Sequence, residues 1–159
     1  MEPDEQLTSA IAGHTRLGID TAPLVYFLAG DAPWDRAVER LLALAAAGNL
    51  RLVVSVVTEA ELLVGALKLG AQGATTVAEL LDGPGIEVVP LSRPMAREAA
   101  RLRARHGLGL ADAVVAATAL SSGCTALVGN DRAFRRLGDR LAYLHLDDLT
   151  PRRRDTAGP

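Results

Sequence analysis

The sequence predicts an α/β fold, with a mostly parallel sheet of about five strands in a three-layer α/β/α arrangement. Two observations carry this prediction. Short apolar runs, typical of buried strands, alternate along the chain with stretches whose apolar residues recur at helical spacing. Parallel strands need a crossover between them, and a helix is its usual form. With 159 residues, 49% of them hydrophobic and 23% charged, the chain fits one globular domain.

The elements follow from these patterns and from the glycines and prolines between them. The predicted strands are residues 17–20, 50–57, 86–89, 125–128 and 141–145. The predicted helices are residues 24–28, 35–47, 58–69, 75–81, 110–120 and 132–137, together with one that ends at His106 and has Ser92 as its N-cap. Residues 1–16 are expected to be a loose extension without an assigned role, with a short helix near residues 7–11. Residues 17–149 form the domain, and residues 150–159 a polar tail.

Composition excludes several classes of protein. No apolar run approaches the roughly 20 residues that span a bilayer, and the N-terminus is acidic where a signal peptide is basic. The single cysteine, Cys124, forms no internal disulfide, which favours a cytoplasmic location. The three histidines are scattered without ligand spacing. Any metal chemistry would therefore use oxygen ligands.

Three acids stand at element boundaries, where each also has a structural explanation. Asp20 ends the first predicted strand and could be a turn residue. Asp131 precedes a helix and could be its N-cap. Glu61 stands three residues after Thr58, the spacing of a capping box. Taken singly, each of these three acids is better explained by structure than by function.

Asp112 is harder to explain structurally. It lies in the first turn of a helix that is apolar almost all round. The helix dipole favours an early acid by only about 0.3–1 kcal/mol, which is less than the cost of burying an unpaired carboxylate. No Lys or Arg on that helix can pair with it. Asp112 therefore needs a specific partner, and a divalent cation would serve.

In a parallel sheet, the carboxyl ends of strands and the amino ends of the following helices lie at one edge. Asp20, Glu61, Asp112 and Asp131 are therefore expected to converge there. Four neighbouring carboxylates repel one another unless positive charge is present. Mg²⁺ or Mn²⁺ supplies that charge and prefers oxygen ligands. The sequence thus predicts a divalent-cation site at this edge.

Four segments of the chain, in order, resemble the PIN-domain ribonucleases of the VapC toxin type. They are IDTAPLV at residues 19–25, SVVTEAELLVG at 55–65, LGLADAVVAATAL at 108–120 and LVGNDRAF at 127–134. The resemblance spans residues 17–149. It implies a PIN-like fold, a Mg²⁺- or Mn²⁺-dependent endoribonuclease, a homodimer and inhibition by a cognate antitoxin protein.

By position, the resemblance makes Asp20, Glu61, Asp112 and Asp131 the catalytic, metal-binding quartet. Glu59 competes with Glu61, but the family's acid precedes the Leu-Leu-x-Gly pattern, which favours Glu61. Gly129 departs from the family, which usually has Thr or Ser before Asn-Asp. A supporting hydroxyl is therefore missing, and the resemblance leaves Asn130 or Thr21 to substitute for it.

Basic residues suggest where RNA could lie. Residues 1–92 hold 5 basic and 12 acidic side chains, whereas residues 93–159 hold 12 basic and 7 acidic ones. The RNA-binding candidates are Arg132, Arg135 and Arg136 after Asp131, with Arg93 and Arg97 on the helix after Ser92. The structural alternative is a solvated face whose arginines pair with Glu98 and Asp139.

The resulting hypothesis is a metal-dependent endoribonuclease, the toxin of a type II toxin–antitoxin pair, in which a metal-activated water attacks the RNA phosphodiester. Glu61 would act through a second metal or a metal-bound water. The alternatives are a non-catalytic RNA- or protein-binding module on the same fold and an RNA-processing nuclease outside a toxin–antitoxin system. A phosphotransfer or receiver domain is disfavoured because Asp20-Thr21-Ala22 lacks the paired acids it would need.

Overall fold

A computed structural model describes residues 3–150, with side chains from residue 5 onward. Its sheet has five strands, and every neighbouring pair is parallel. The strands are β1 (Arg16–Ile19), β2 (Arg51–Ser55), β3 (Ile86–Val89), β4 (Ala126–Gly129) and β5 (Ala142–His145). Their order across the sheet is β3-β2-β1-β4-β5. The predicted α/β fold with a five-stranded parallel sheet is confirmed.

Helices connect the strands. They are α1 (Pro3–Ile11), α2 (Thr21–Ala29), α3 (Trp34–Ala46), α4 (Val56–Leu69), α5 (Ala71–Leu81), α6 (Arg93–His106), α7 (Leu110–Ser121) and α8 (Leu146–Leu149), with a 3₁₀ segment at Arg132–Arg140 that is kinked at Gly138. Within the described range, none of these helices combines the length and apolarity needed to cross a membrane.

The sheet separates two apolar cores. One contains residues of α1 to α5 and α8, and the other contains residues of α6, α7 and the 3₁₀ segment. Successive residues of β1 point to opposite faces of the sheet. Leu17 and Ile19 enter the first core, and Gly18 faces the second. A Cβ at Gly18 would lie 2.8 Å from Ala119 Cβ. Glycine at this position lets α7 pack closely on the central strand.

Two boundaries differ from the sequence prediction in ways that affect the site. Strand β2 ends at Ser55, and helix α4 begins at Val56 rather than at Thr58. Ser55 Oγ caps α4 by accepting a hydrogen bond from the Val57 N–H at 3.2 Å. The capping box at Thr58 and Glu61 is therefore wrong, because Ser55 is the N-cap and Thr58 already lies in the first turn of the helix.

The N-terminal residues pack on the domain. Leu7 of α1 is buried in the first core, and the side chain of Gln6 donates to the backbone oxygen of Asp148 at 2.8 Å. The sequence also gave no sign of α8, which is only four residues long. Thr150, the first residue of the predicted tail, is buried, and residues 151–159 lie outside the described residues.

Candidate active site

The sheet topology places the predicted site. The chain leaves central strand β1 for β2 on one side and later enters β4 on the other. In parallel sheets, ligands bind at such a switch point, outside the carboxyl ends of the strands. Asp20 stands there, directly after β1, and its backbone N–H donates to the Val128 oxygen at 2.9 Å. This bond fixes Asp20 between the ends of the two neighbouring strands.

The other three acids lie around the same edge. Glu61 is on α4, which follows β2, and Asp131 follows β4 and precedes the 3₁₀ segment. Asp112 is the third residue of α7, whose N-terminus lies at this edge because the helix runs back before β4. Among the described residues, none of the four acids has an ion pair. The cluster formed by Asp20, Glu61, Asp112 and Asp131 is called the acidic cluster below.

Asp20 is the most buried member of the acidic cluster. Its side chain is almost enclosed, with 8% exposure for the residue. Burial raises the pKa of Asp20 from 3.8 to about 7, opposed by the Thr21 backbone N–H and reinforced by the charges of Asp112, Glu61 and Asp131. The turn-residue explanation does not account for a carboxylate placed at such a cost.

Asp112 is half-buried at the start of α7, and the pKa of its carboxyl is raised as that of Asp20 is. Burial, together with the charges of Asp131 and Glu61, raises its pKa. The loop before it is held by two arginines, since Arg103 donates to the Leu108 oxygen at 2.9 Å and Arg136 to the Gly107 oxygen at 3.2 Å. Asp112 therefore projects from a braced helix start without a cationic partner of its own.

Glu61 is exposed and is positioned by a hydroxyl. Thr21 Oγ1 donates to Glu61 Oε2 at 2.5 Å, and the Thr21 and Thr58 hydroxyl oxygens lie 3.1 Å apart. Thr21 is the first residue of α2, so this contact joins the segment after β1 to the helix after β2. The predicted supporting residue Thr21 thus contacts a member of the acidic cluster directly.

Asp131 also has the structural role that its position suggested. Its Oδ1 accepts a hydrogen bond from the Ala133 N–H at 2.8 Å, so it caps the 3₁₀ segment. Its neighbour Asn130 donates through Nδ2 to the Tyr26 hydroxyl at 3.0 Å. The buried His145 donates from Nε2 to the Asn130 backbone oxygen at 3.2 Å, because its Nδ1 accepts from the Asp147 N–H. Asn130 is therefore braced on both sides, with its side-chain nitrogen directed to Tyr26.

The donor chemistry of the acidic cluster fits an oxygen-preferring divalent cation. Its side chains are all carboxylates, and burial and mutual repulsion raise the pKa of two of them. In the described range, no Lys or Arg forms an ion pair with them. Oxygen atoms of this kind are what Mg²⁺ prefers. Within residues 3–150, no three acid, histidine or cysteine side chains form a closed metal-binding group.

The predicted RNA-binding arginines fall into two groups. Three of the arginines after Asp131 have acidic partners: Arg132 with Asp147 at 3.6 Å, Arg135 with Asp148 at 3.5 Å, and Arg140 with Glu98 at 2.7 Å. Arg93 and Arg97 on α6 are exposed and have no ion pair among the described residues. The pairing with Glu98 is confirmed for Arg101, at 3.1 Å, whereas Asp139 has no such pair within the part of the chain described.

Sequence reasoning missed Tyr143. This residue of β5 has a buried hydroxyl without a hydrogen-bond partner among the described residues, and the charges of Asp20 and Asp131 act on it. Burial raises the pKa of the Tyr143 phenol well above its usual range, so the hydroxyl stays protonated. No pattern around residue 143 indicated this position. The strand order, which brings β5 beside β4, was needed to find it.

Glu61 also lines an apolar groove of about 400 Å³ between α2, α4 and α5. Beside it, α4 exposes several large apolar side chains: Val64 is 57% exposed, Leu67 64% and Leu69 86%. Val64 and Leu67 are about one helical turn apart, and exposed apolar surface on a helix face is common at protein–protein contacts. The acidic cluster therefore borders a surface that suits a protein partner.

Several solved structures share this fold. A toxin-antitoxin complex from Klebsiella pneumoniae shares 21% identity with a TM-score of 0.66, covering 82% of this chain and 97% of that one. VapBC2 from Rickettsia felis, bound to a DNA fragment from the VapBC2 promoter, shares 20% identity with a TM-score of 0.64, covering 82% of this chain and 98% of that one. Mycobacterium tuberculosis VapC20, a sarcin-ricin loop cleaving toxin, shares 20% identity with a TM-score of 0.60, covering 77% of this chain and 95% of that one.

No curated protein sequence matches the chain. The family model that matches is the PIN domain, over residues 18–140. This span contains all four members of the acidic cluster, the end of β1 and the whole of β2, β3 and β4. The chain therefore belongs to the PIN domain family.

Proposed function

We propose that this protein is a divalent-cation-dependent endoribonuclease of the VapC type, the toxin of a toxin–antitoxin pair. The observation that carries the proposal is the acidic cluster: four carboxylates from four separate segments at the switch point of the sheet, with raised pKa values at Asp20 and Asp112 and no protein cation paired with them in the described residues. PIN family membership and the likeness to structures from toxin–antitoxin systems support it.

The residues have distinct proposed roles. Asp20, Asp112 and Asp131 hold Mg²⁺ or Mn²⁺, which when bound polarises a phosphate and lowers the pKa of water. Glu61, fixed through one oxygen by Thr21, orients the attacking water with its other oxygen. Exposed arginines bind the RNA backbone phosphates. Attack by water leaves a 5′-phosphate and a 3′-hydroxyl.

Cleavage assays test this proposal. The purified protein is incubated with structured and unstructured RNA in Mg²⁺, in Mn²⁺ and in EDTA, beside Asp112→Asn. We expect cleavage only with a divalent cation and a loss of at least about 100-fold in Asp112→Asn, a size typical of removing a key catalytic group. Cleavage that survives EDTA would contradict the metal mechanism. Cation binding without cleavage of any RNA would favour the non-catalytic binding module instead.

The partners are part of the same proposal. We propose a cognate antitoxin, because the Klebsiella and Rickettsia structures are toxin–antitoxin assemblies, and the exposed apolar residues of α4 supply surface for a protein partner. We also propose a homodimer and a cytoplasmic location, the latter because the single, buried cysteine is typical of a reducing compartment. Co-expression with a short adjacent reading frame, followed by co-purification and relief of growth inhibition, tests the antitoxin.

A further inference from the structure

Tyr143 takes the space in front of Gly129, at the carboxyl end of β4. Tyr143 pairs in register with Leu127, and residue 129 lies two positions further along the same face of the strand. A Cβ at residue 129 would meet Tyr143 Oη at 3.0 Å and Cε2 at 3.1 Å. The phenol therefore extends along the sheet to its carboxyl edge, where a glycine at 129 leaves room for it.

The ring is held firmly, while its hydroxyl has no partner. Phe134 packs against the ring with centroids 5.5 Å apart, and His145 meets it edge-on at 6.1 Å. Tyr143 Oη is buried and makes no hydrogen bond among the described residues. The Asp131 backbone N–H lies near the Tyr143 hydroxyl, but an N–H can only donate. The phenol proton therefore has no acceptor. Buried hydroxyls are rarely left in this state without a reason.

The hydroxyl lies beside two members of the acidic cluster, because Gly129 stands two residues before Asp131 and its neighbour Val128 accepts from the Asp20 N–H. Asp20 and Asp131 are the anions that act on the phenol, and Arg135 acts on it from the 3₁₀ segment. A phenol O–H is a donor that suits a carboxylate oxygen. A hydrogen bond to one oxygen of a ligating carboxylate fixes its orientation and leaves the other oxygen for the cation.

We propose that Tyr143 is a positioning residue of the metal site, whose hydroxyl donates to a carboxylate oxygen of Asp20 or Asp131 when these acids bind the cation. The inference rests on the proposed function, because it needs the acidic cluster to bind a cation. It assigns to β5 the hydroxyl that residue 129 cannot carry. Thr21 and Asn130 are less suited to that role, since both already have side-chain partners.

Tyr143→Phe tests this inference, because positioning and simple packing predict opposite results. Removing an unpartnered buried hydroxyl leaves the metal-free fold as stable or more stable. Removing a donor to a ligating carboxylate weakens cation binding by about 10-fold or more. We expect Tyr143→Phe to weaken Mn²⁺ binding in calorimetric titration without lowering the urea midpoint of the metal-free protein. Thr118→Val is the control, since it deletes a buried hydroxyl that bonds within α7, to Val114.

A double-mutant cycle with Gly129→Ala adds a second measurement. The new Cβ forces the Tyr143 hydroxyl to shift by a few tenths of an ångström. We expect Gly129→Ala to weaken Mn²⁺ binding several-fold in the natural chain and to have no further effect beside Tyr143→Phe. Additive effects would overturn the inference, as would a Tyr143→Phe variant that binds Mn²⁺ like the natural chain.

The outcomes separate this inference from the proposed function. If the natural chain binds Mn²⁺ and cleaves RNA while Tyr143→Phe binds it equally well, the inference fails and the proposed function stands. If the natural chain binds neither Mg²⁺ nor Mn²⁺, both fail. If Tyr143→Phe lowers metal-free stability and Mn²⁺ affinity together, Tyr143 is a packing residue and the inference fails.

Discussion

The hydroxyl of Thr21 donates to Oε2 of Glu61 at 2.5 Å, across 40 residues of sequence. This hydrogen bond joins the first residue of α2 to α4, so a side chain next to Asp20 fixes an exposed acid of the cluster. Glu61 would otherwise hold its carboxylate in solvent with free rotation. The contact thus gives Thr21 a role in orienting the site.

Thr21→Val is expected to reduce RNA cleavage by about 10-fold, because a hydrogen bond to a charged group contributes about 1.5–3 kcal/mol. Valine keeps the shape of threonine and removes only the donor. Thr21→Ser keeps the donor and is the matched control. Initial cleavage rates at saturating Mn²⁺ measure the effect. Equal losses in the two variants would show that the methyl group, rather than the hydroxyl, matters.

The metal-free protein is expected to become more stable as the pH falls from 8 to 5. The pKa of Asp20 is raised from 3.8 to about 7 in the folded state, so between these values the folded chain binds a proton that the unfolded chain does not. The associated stability is present below the unfolded pKa and is lost as pH rises through about 7. Titration of Asp20 across about two pH units of this window corresponds to about 3 kcal/mol, and the raised pKa of Asp112 acts in the same direction.

Urea denaturation at several pH values in EDTA measures this dependence. Asp20→Asn should flatten it, because the asparagine does not titrate. The lowered pKa of Glu98 acts oppositely, but its contribution is lost only as pH falls below 4.5, outside this window. If the metal-free stability of the natural chain decreases as the pH is lowered from 8 to 5, the raised pKa of Asp20 is contradicted.

Asp112→Asn is expected to abolish cation binding while stabilising the metal-free fold at pH 8. The substitution removes one of the mutually repelling charges from a half-buried position. Thermal unfolding in EDTA should show a higher Tm for the variant. In saturating Mn²⁺ the order should reverse, since only the natural chain gains stability from the bound ion. A lower Tm in EDTA would mean that Asp112 has a stabilising partner in the folded protein.

Ser55→Ala is expected to cost about 1 kcal/mol of stability, because Ser55 caps α4. Glu61→Ala should leave the free energy of unfolding nearly unchanged, since Glu61 is exposed and the Thr21 hydroxyl keeps Thr58 Oγ1 as an acceptor. Urea unfolding of both variants checks this pair. The reverse pattern, with Glu61→Ala the more destabilising, would restore the capping box that the sequence suggested.

Arg93→Gln and Arg97→Gln are expected to weaken RNA binding to a similar extent whatever the RNA sequence. Each phosphate contact removed should also reduce the slope of log K against log salt concentration by about one. Both arginines are exposed and have no ion pair within the described range. Arg51→Gln is the control, because Arg51 begins β2 at the opposite edge of the sheet. Catalytically inactive Asp112→Asn serves as the background in fluorescence anisotropy. An equal loss with Arg51→Gln would indicate nonspecific charge attraction only.

The sequence by itself determined the fold and the identity of the acids. Apolar runs and helical spacing identified five strands and their order along the chain, because burial on both faces of a sheet demands such runs. Asp112 was identified because burying an unpaired carboxylate on an apolar helix costs free energy that the helix itself does not offset. The position of α4 was missed by two residues, because Val56 and Val57 suit a strand as well as a helix and only the Ser55 cap decides between them.

The tertiary structure decided which groups meet. Strand order brings β5 beside β4, and this places the Tyr143 hydroxyl over Gly129, a contact between residues 14 positions apart that no local pattern encodes. The Thr21 to Glu61 bond and the pairing of Arg140 with Glu98 depend in the same way on helix packing. Local propensity acts over a few residues, whereas side-chain hydrogen bonds and raised pKa values depend on groups that only the folded chain brings together.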